Sequence, residues 1–385
     1  MKWATTILIF CVVVLVGLGL VMLYSASMNM EMGKSAVGAS YLLSQLVWLG
    51  FGVIACVMAA RMDYKKWKEF SLYLLVVSTI LLALVYVPHI GIGRKGAHRW
   101  IGLPHLPHFQ PSELARLSLI IFIAAYAERF QRQMPEFRQG LLVPGCVIAV
   151  VLGLILFERD LGCTILLAAV AGAMLIIAGA RLTFLAPPAA LVAAGLGFFC
   201  WHDPVRMRRV LAWLHPEASR EGTGYQAYQA MIALGSGGWT GLGLGNGRQK
   251  LGFVPEHHTD FIFSIIGEEL GLIATLGVLL LFVILVVCGI FIARRSSDTF
   301  GLLLGTGITF MIGLQAFINM GVVTSVLPNK GMPLPFISYG GSNLLLTLLA
   351  VGLLLSVSRS AVDLPKNKKR VNPFESTPEL AEADA

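Results

Sequence analysis

Apolar positions fall in long unbroken runs, and polar ones gather in short segments between them. After Lys2 a first run reaches about Leu23; others lie near 41–60, 70–88, 112–127, 140–157, 161–180, 183–201, 262–293, 300–323 and 343–358. A helix rising 1.5 Å per residue crosses the hydrocarbon core in about 20 residues, so the pattern predicts ten transmembrane helices. Strands of a membrane barrel would instead alternate over segments of about ten residues, and stretches such as Val143 to Phe157 and Leu270 to Ile292 do not alternate. The expected fold is an all-α polytopic membrane protein. One integral-membrane domain covers 1–362, with a long extracytoplasmic loop at about 202–259 between helices seven and eight, and 363–385 forms a disordered cytoplasmic tail. The first run exceeds the roughly 7 to 15 apolar residues of a secretion signal and is read as a span.

Composition and charge sharpen this picture. Hydrophobic residues make up 56% of the 385 positions and charged ones 13%, a balance that no water-soluble domain of this length could solvate. The 29 Lys and Arg exceed the 21 Asp and Glu, for a net charge of +8. No soluble domain is available to present that charge to nucleic acid, so membrane lipids and phosphate groups are the partners it suits. With a cytoplasmic N-terminus, the short inner connections carry ten Lys and Arg, among them Arg61, Lys65, Lys66 and Lys68, and the short outer ones carry six. That bias places both termini inside and the long loop outside. The six cysteines lie in or beside apolar runs without paired spacing. They read as small buried hydrophobes, not as a disulfide or metal framework.

Candidate chemistry collects in the outer segments. The long loop holds a Gly-rich run from Gly235 to Gly247, then Arg248 and Lys250, then Glu256, His257, His258 and Asp260. No predicted strand precedes the glycines, which argues against a dinucleotide site and for close backbone packing or a re-entrant turn. Adjacent histidines rarely ligate one ion together, so zinc is disfavoured. A Mg²⁺ or Mn²⁺ ion shared between a substrate phosphate and Asp260 or Glu256 stays open, because such ions need only one or two protein ligands. No organic cofactor is expected. Asp260 is expected to open the eighth span, with Thr259 as its N-cap, about 15 Å above Leu270 along a continuous helix. Glu113 and Arg116 share a helix face as an ion pair that either orients helices or touches substrate. Asp160 and the Glu268–Glu269 pair are read as helix caps or cavity lining. Lys330 and Ser338 fall in LPNKGMPLPFISYGGSN, too rich in Pro and Gly for a regular helix and expected to line a cavity.

GAHRWIGL (Gly96 to Leu103), QPSELARL (Gln110 to Leu117), GYQAYQAMIALGSGGWTGLGLG (Gly224 to Gly245), PEHHTDFIFSIIGEELG (Pro255 to Gly271) and LPNKGMPLPFISYGGSN (Leu327 to Asn343) together carry a family pattern. The chain resembles the shape, elongation, division and sporulation family of FtsW and RodA, nearly end to end and in the same order. Lys330 in LPNKG and the segment IGEELG look more like the division branch than the elongation branch. The resemblance implies a peptidoglycan glycosyltransferase that polymerises lipid II into a nascent glycan strand at the outer face of the bacterial cytoplasmic membrane, at the septum. It also implies a class B penicillin-binding protein, the crosslinking transpeptidase, as partner, with other division proteins around the pair.

The family's essential outer-loop aspartate falls on Asp260, the implied general base. Its cavity ion pair falls on Glu113 and Arg116, with Arg where Lys is usual. Its QPDxGT motif appears here as ERDLGCT, so Glu158, Arg159 and Cys163 depart from the pattern and only Asp160 carries over. Lys330, Arg99, Arg248 and Lys250 are the cations expected to offset charge on the departing diphosphate, with Glu256 and Ser338 as further substrate contacts. A lipid II flippase is the competing reading, since many spans with internal charges also describe transporters.

Overall fold

A computed structural model describes residues 2–27, 37–87, 91–94, 97–102, 109–214, 222, 224–251 and 258–362. The expected tail at 363–385 and Glu256 lie outside the described residues. Each predicted apolar run becomes a helix. In chain order these elements are α1 (Lys2–Ser27), α2 (Val37–Arg61), the short α3 (Tyr64–Glu69), α4 (Ser71–Leu84), strands β1 (Gly91–Arg94) and β2 (Ala97–Ile101), α5 (Pro111–Arg129), α6 (Val143–Phe157), α7 (Leu161–Ile177), α8 (Leu182–His202), α9 (Pro204–Leu214), α10 (Tyr225–Ser236), α11 (Ile262–Arg294), α12 (Thr299–Val323) and α13 (Gly341–Val362). Among the described residues six helices are long and apolar enough to cross a membrane, and α4, α7 and α8 are shorter apolar helices. The remaining predicted span, α5, carries Glu113 and Arg116 within its first two turns.

The centre of the bundle is α12, which packs against α5, α7, α11 and α13. Small residues let these helices approach, as is usual where lipid supplies no hydrophobic drive between them. A Cβ on Gly307 would stand 2.6 Å from Met174 Sδ and 2.7 Å from Ile120 Cγ2. The outer faces of α2, α4 and α8 expose Phe51, Ile54, Tyr73, Ile80, Leu191 and Phe198, an apolar surface suited to hydrocarbon.

The two ends of the bundle differ. At one end, Asp63 caps α3. The fully buried Tyr64 donates its hydroxyl to Asp298 at 2.9 Å, while its backbone N–H donates to Ser356 at 3.0 Å. Lys68 pairs with Glu128 there. The other end gathers the starts of α5, α7, α11 and α13 around the end of α12, and all of the site residues below lie there.

Three features depart from expectation. The long loop is not irregular throughout, since α9, α10 and a 3-10 turn at Gln249–Leu251 fall within it. A two-stranded antiparallel hairpin, with Ile92 opposite Trp100, occupies the segment before α5. Most consequential, Asp260 does not begin a continuous helix. It sits in a turn, and α11 starts at Ile262 with Phe261, not Thr259, in the N-cap position.

Further along, Gly271 has φ 78° and ψ −174° and interrupts α11. The cause is the Gly-rich run, which inserts its own backbone at this break. Leu242 and Gly243 N–H donate to the carbonyls of Glu268 and Glu269, and the N–H groups of Leu272 and Ile273 donate to Gly238 and Trp239. Those are the groups that an uninterrupted helix would pair with each other four residues apart. A Cβ on Gly241 would lie 2.2 Å from the Glu269 carbonyl oxygen, and Gly241 has φ +80°, so only glycine fits. The close backbone packing expected of the glycines is therefore present.

Candidate functional site

The floor of the site is the start of α5. Pro111 at its first turn fits a position where the N–H needs no helical partner. Glu113 and Arg116 follow three positions apart, which places both on one face, and their side chains pair in the protein interior. Arg116 also donates to Gln315 Oε1 at 3.0 Å, and Asn343 donates to Glu113 at 3.1 Å. Three helices are thus joined through one buried charge pair, each partner of which has further hydrogen bonds, the condition under which burial of charge is tolerated.

Above this pair, α12 uses two amides one turn apart. Gln315 donates to the Pro333 carbonyl at 2.9 Å, and Asn319 donates to Met332 O at 2.6 Å and to Asp260 O at 2.8 Å. Ser338 completes the stitching. Its hydroxyl donates to Thr259 O at 2.6 Å and accepts from Leu334 N–H at 2.7 Å, while Tyr339 N–H donates to His258 O at 3.0 Å. The turn that carries Asp260 is therefore fixed to α12 and the 332–339 loop through its backbone carbonyls. A Cβ on Gly331 would lie 2.2 Å from Asp260 Oδ2, so the carboxylate rests on Gly331. The neighbouring Lys330 packs on α7, its Cε 2.9 Å from where a Gly162 Cβ would stand. The Asp260 carboxylate therefore rests on the residue that follows Lys330 in the chain.

A second group forms at the turn between α6 and α7. Asp160 caps α7 by accepting from Cys163 N–H at 3.1 Å. Arg99 reaches over from β2, donating to the carbonyls of Glu158 at 3.2 Å and Arg159 at 2.7 Å, and faces Asp160 Oδ2 at 3.6 Å. Arg99 therefore clamps a turn as well as bordering the site.

The remaining candidates are arranged differently. Lys250 is fully buried against Glu269 at 2.6 Å, with Ser25 O and Oγ at 3.2 and 3.1 Å, and so it ties the re-entrant loop to α1 and α11. The Glu268 carboxylate accepts from the backbone of Arg248 at 2.7 Å and Gln249 at 3.2 Å, so both glutamates anchor the loop. The Arg248 side chain is exposed.

Sequence reasoning missed Gln315, Asn319 and Asn343. The available signal was amide side chains within apolar spans, where unpaired polar groups are costly. Among the described residues no three His, Cys, Asp or Glu side chains converge as a metal cage. The Asp260 carboxylate is of the kind that a hard cation taking most of its oxygens from substrate would accept as a protein ligand.

A multi-pass helical membrane protein with a carboxylate and a lysine set at one end, over a buried ion pair and under a re-entrant loop, is the class defined by this geometry. The family model described as "Cell cycle protein", covering FtsW, RodA and SpoVE, matches residues 5–362, and the chain belongs to that family. Similar proteins include the "Probable peptidoglycan glycosyltransferase FtsW" of Geobacter metallireducens, 42% identical over 91% of this chain and 94% of that one. Stage V sporulation protein E of Bacillus subtilis is 37% identical over 92% and 96%. Among solved structures, a chain of a peptidoglycan synthase complex superposes with a TM-score of 0.75 at 28% identity, covering 93% of this chain and 98% of the other. The rod shape determining protein RodA of Thermus thermophilus gives 0.67 at 28% identity, covering 92% and 96%.

Proposed function

We propose that this chain is a peptidoglycan glycosyltransferase of cell division, polymerising lipid II at the outer face of the cytoplasmic membrane. The observation that carries the reading is the Asp260 carboxylate packed on Gly331, the residue next to Lys330, in a family whose members include proteins named for this activity. The ten helices α1, α2, α4 to α8 and α11 to α13 are taken as spans, with both termini cytoplasmic and the Asp260 end outside.

In the reaction, the acceptor sugar's 4-hydroxyl oxygen attacks the anomeric carbon of the donor, and the bond from that carbon to the diphosphate oxygen breaks. Asp260 takes the hydroxyl proton, and the linkage inverts from α to β. Lys330 sits where its ammonium offsets the negative charge that grows on the departing polyprenyl diphosphate. Arg248, exposed beside the loop, is a second candidate for that diphosphate, and Lys250 keeps the loop in place. Glu113 and Arg116 set the floor. A divalent ion, where used, would be held by Asp260 and substrate oxygens and would supply further charge neutralisation. A class B penicillin-binding protein is the partner, a reading supported by the likeness to a chain of a synthase complex that coordinates polymerization and crosslinking. Septal placement is the reading that the FtsW-named relatives support.

The test is the purified chain with labelled lipid II, with and without its transpeptidase and Mg²⁺, resolved by polymer length on a gel. Glycan polymer is expected. Movement of lipid II across vesicle membranes without polymer in any condition would overturn the reading in favour of a flippase.

A further inference from the structure

The α6–α7 turn contains a group that the mechanism above does not use. Glu158 is 1% exposed, and neither carboxyl oxygen has a hydrogen-bond partner among the described residues. Buried polar groups are almost always satisfied, and an unsatisfied one calls for an explanation. The backbone leaves the side chain no choice of place. Glu158 closes α6 through its N–H to Leu154 O at 3.2 Å, and the next residue, Arg159, takes φ 60° to turn the chain into α7.

The charged and titratable groups around Glu158 are few. Arg99 approaches from β2, Asp160 and Cys163 from the start of α7, and Tyr86 from the end of α4, where its hydroxyl is turned to Leu154 O at 3.0 Å. The adjacent Arg159 has an exposed side chain, where solvent screens it. The polar contacts of Arg99 go to the two backbone carbonyls and to Asp160, while neither Glu158 carboxyl oxygen has a hydrogen-bond partner among the described residues. Burial without a hydrogen-bond donor disfavours the ionised form of a carboxyl, so Glu158 is the acid disposed to keep its proton.

We propose that Glu158 is held as a neutral acid in this turn, and that its ionisation places negative charge behind the diphosphate end of the site and slows polymerisation. The route is short. Glu158 ends α6 at the turn that leads into α7, and Lys330 packs on Gly162 in the first turn of α7. Losing the proton to bulk water therefore adds a charge that opposes the diphosphate and competes with Asp160 for Arg99. Burial, and then the Asp160 charge, push the Glu158 carboxyl up to about 8, with Arg99 opposing them. Glu158 is a positioning residue under this proposal. It rests on the glycosyltransferase reading for its effect on rate, but its protonation does not.

The two parts are tested separately on the full-length chain. Infrared difference titration should show a protonated-carboxyl band that disappears with a midpoint near pH 8 and is missing from Glu158→Gln. A midpoint below about 6, or a band unchanged in the variant, overturns the proposal whether or not the protein makes glycan. In the lipid II assay the wild type should lose rate above pH 8, falling about tenfold by pH 9 as the neutral fraction drops. Glu158→Gln should match the wild type at pH 6.5 and hold its rate at pH 9. Identical alkaline limbs in the two proteins also overturn the proposal. A wild type that forms no glycan at any pH overturns the assigned function and the effect on rate, while the infrared band still decides the protonation.

Discussion

At the scale of single residues, the charges sort by what holds them. Lys250 and Glu269 are both completely buried and touch at 2.6 Å, so removing one leaves the other desolvated without a counter-charge. Lys250→Ala is expected to lower unfolding stability by about 3–5 kcal/mol, measured by thermal denaturation in detergent. Lys250→Met combined with Glu269→Gln should recover most of that loss.

Glu158 has the opposite signature. Its carboxyl is raised in the folded protein to about 8 from an ordinary 4.5, so the fold binds its proton more tightly than the unfolded chain does. The stabilisation is complete below pH 4.5 and is lost as pH climbs through the interval to 8. Stability of Glu158→Gln should therefore fall less between pH 5 and 8 than that of the wild type. The Glu113–Arg116 pair was legible from spacing alone, because three residues on a helix bring side chains together. The destinations of Lys250 and Arg99 were not, since their partners Glu269 and Asp160 come from other elements, and Ser25 lies 225 residues away from Lys250.

At the scale of elements, the hydrophobic pattern located every helix that it predicted, because apolar length is what lipid demands of a span. It failed where backbone meets backbone. The break in α11 at Gly271 exists because residues 238–243 supply the hydrogen bonds that the helix gives up, and an apolar run carries no mark of such an exchange. The glycines signalled close packing but not which helix would receive them. The hairpin before α5 was missed for a related reason, since its strands are only four and five residues long and lack clear alternation. Gly241 offers a direct check on the insertion. Gly241→Val must adopt φ +80° and set a branched side chain against the Glu269 carbonyl, at a cost of more than about 2 kcal/mol. The expected outcome is rapid proteolysis within 238–250 and a lower melting temperature, whereas Gly235→Ala, with open space around its Cα, should behave as wild type.

At the scale of the whole molecule, the bundle works by bringing distant segments to one end. Glu113, Asp160, Asp260 and the 319–343 segment that holds Asn319, Lys330, Ser338 and Asn343 are far apart in the chain, and α12 holds the last turns together through Gln315 and Asn319. Membrane class and family could be read from the chain, because apolar runs and short motifs are local. The clustering could not, because it depends on helix ends meeting in three dimensions.

If this cluster makes glycan, Asp260 is its base, and the polymerisation rate of Asp260→Asn against wild type on labelled lipid II is the decisive measurement, with matched melting temperatures to establish folding. A loss of about 10²- to 10⁴-fold is expected. An Asn variant that polymerises at the wild-type rate would contradict the role.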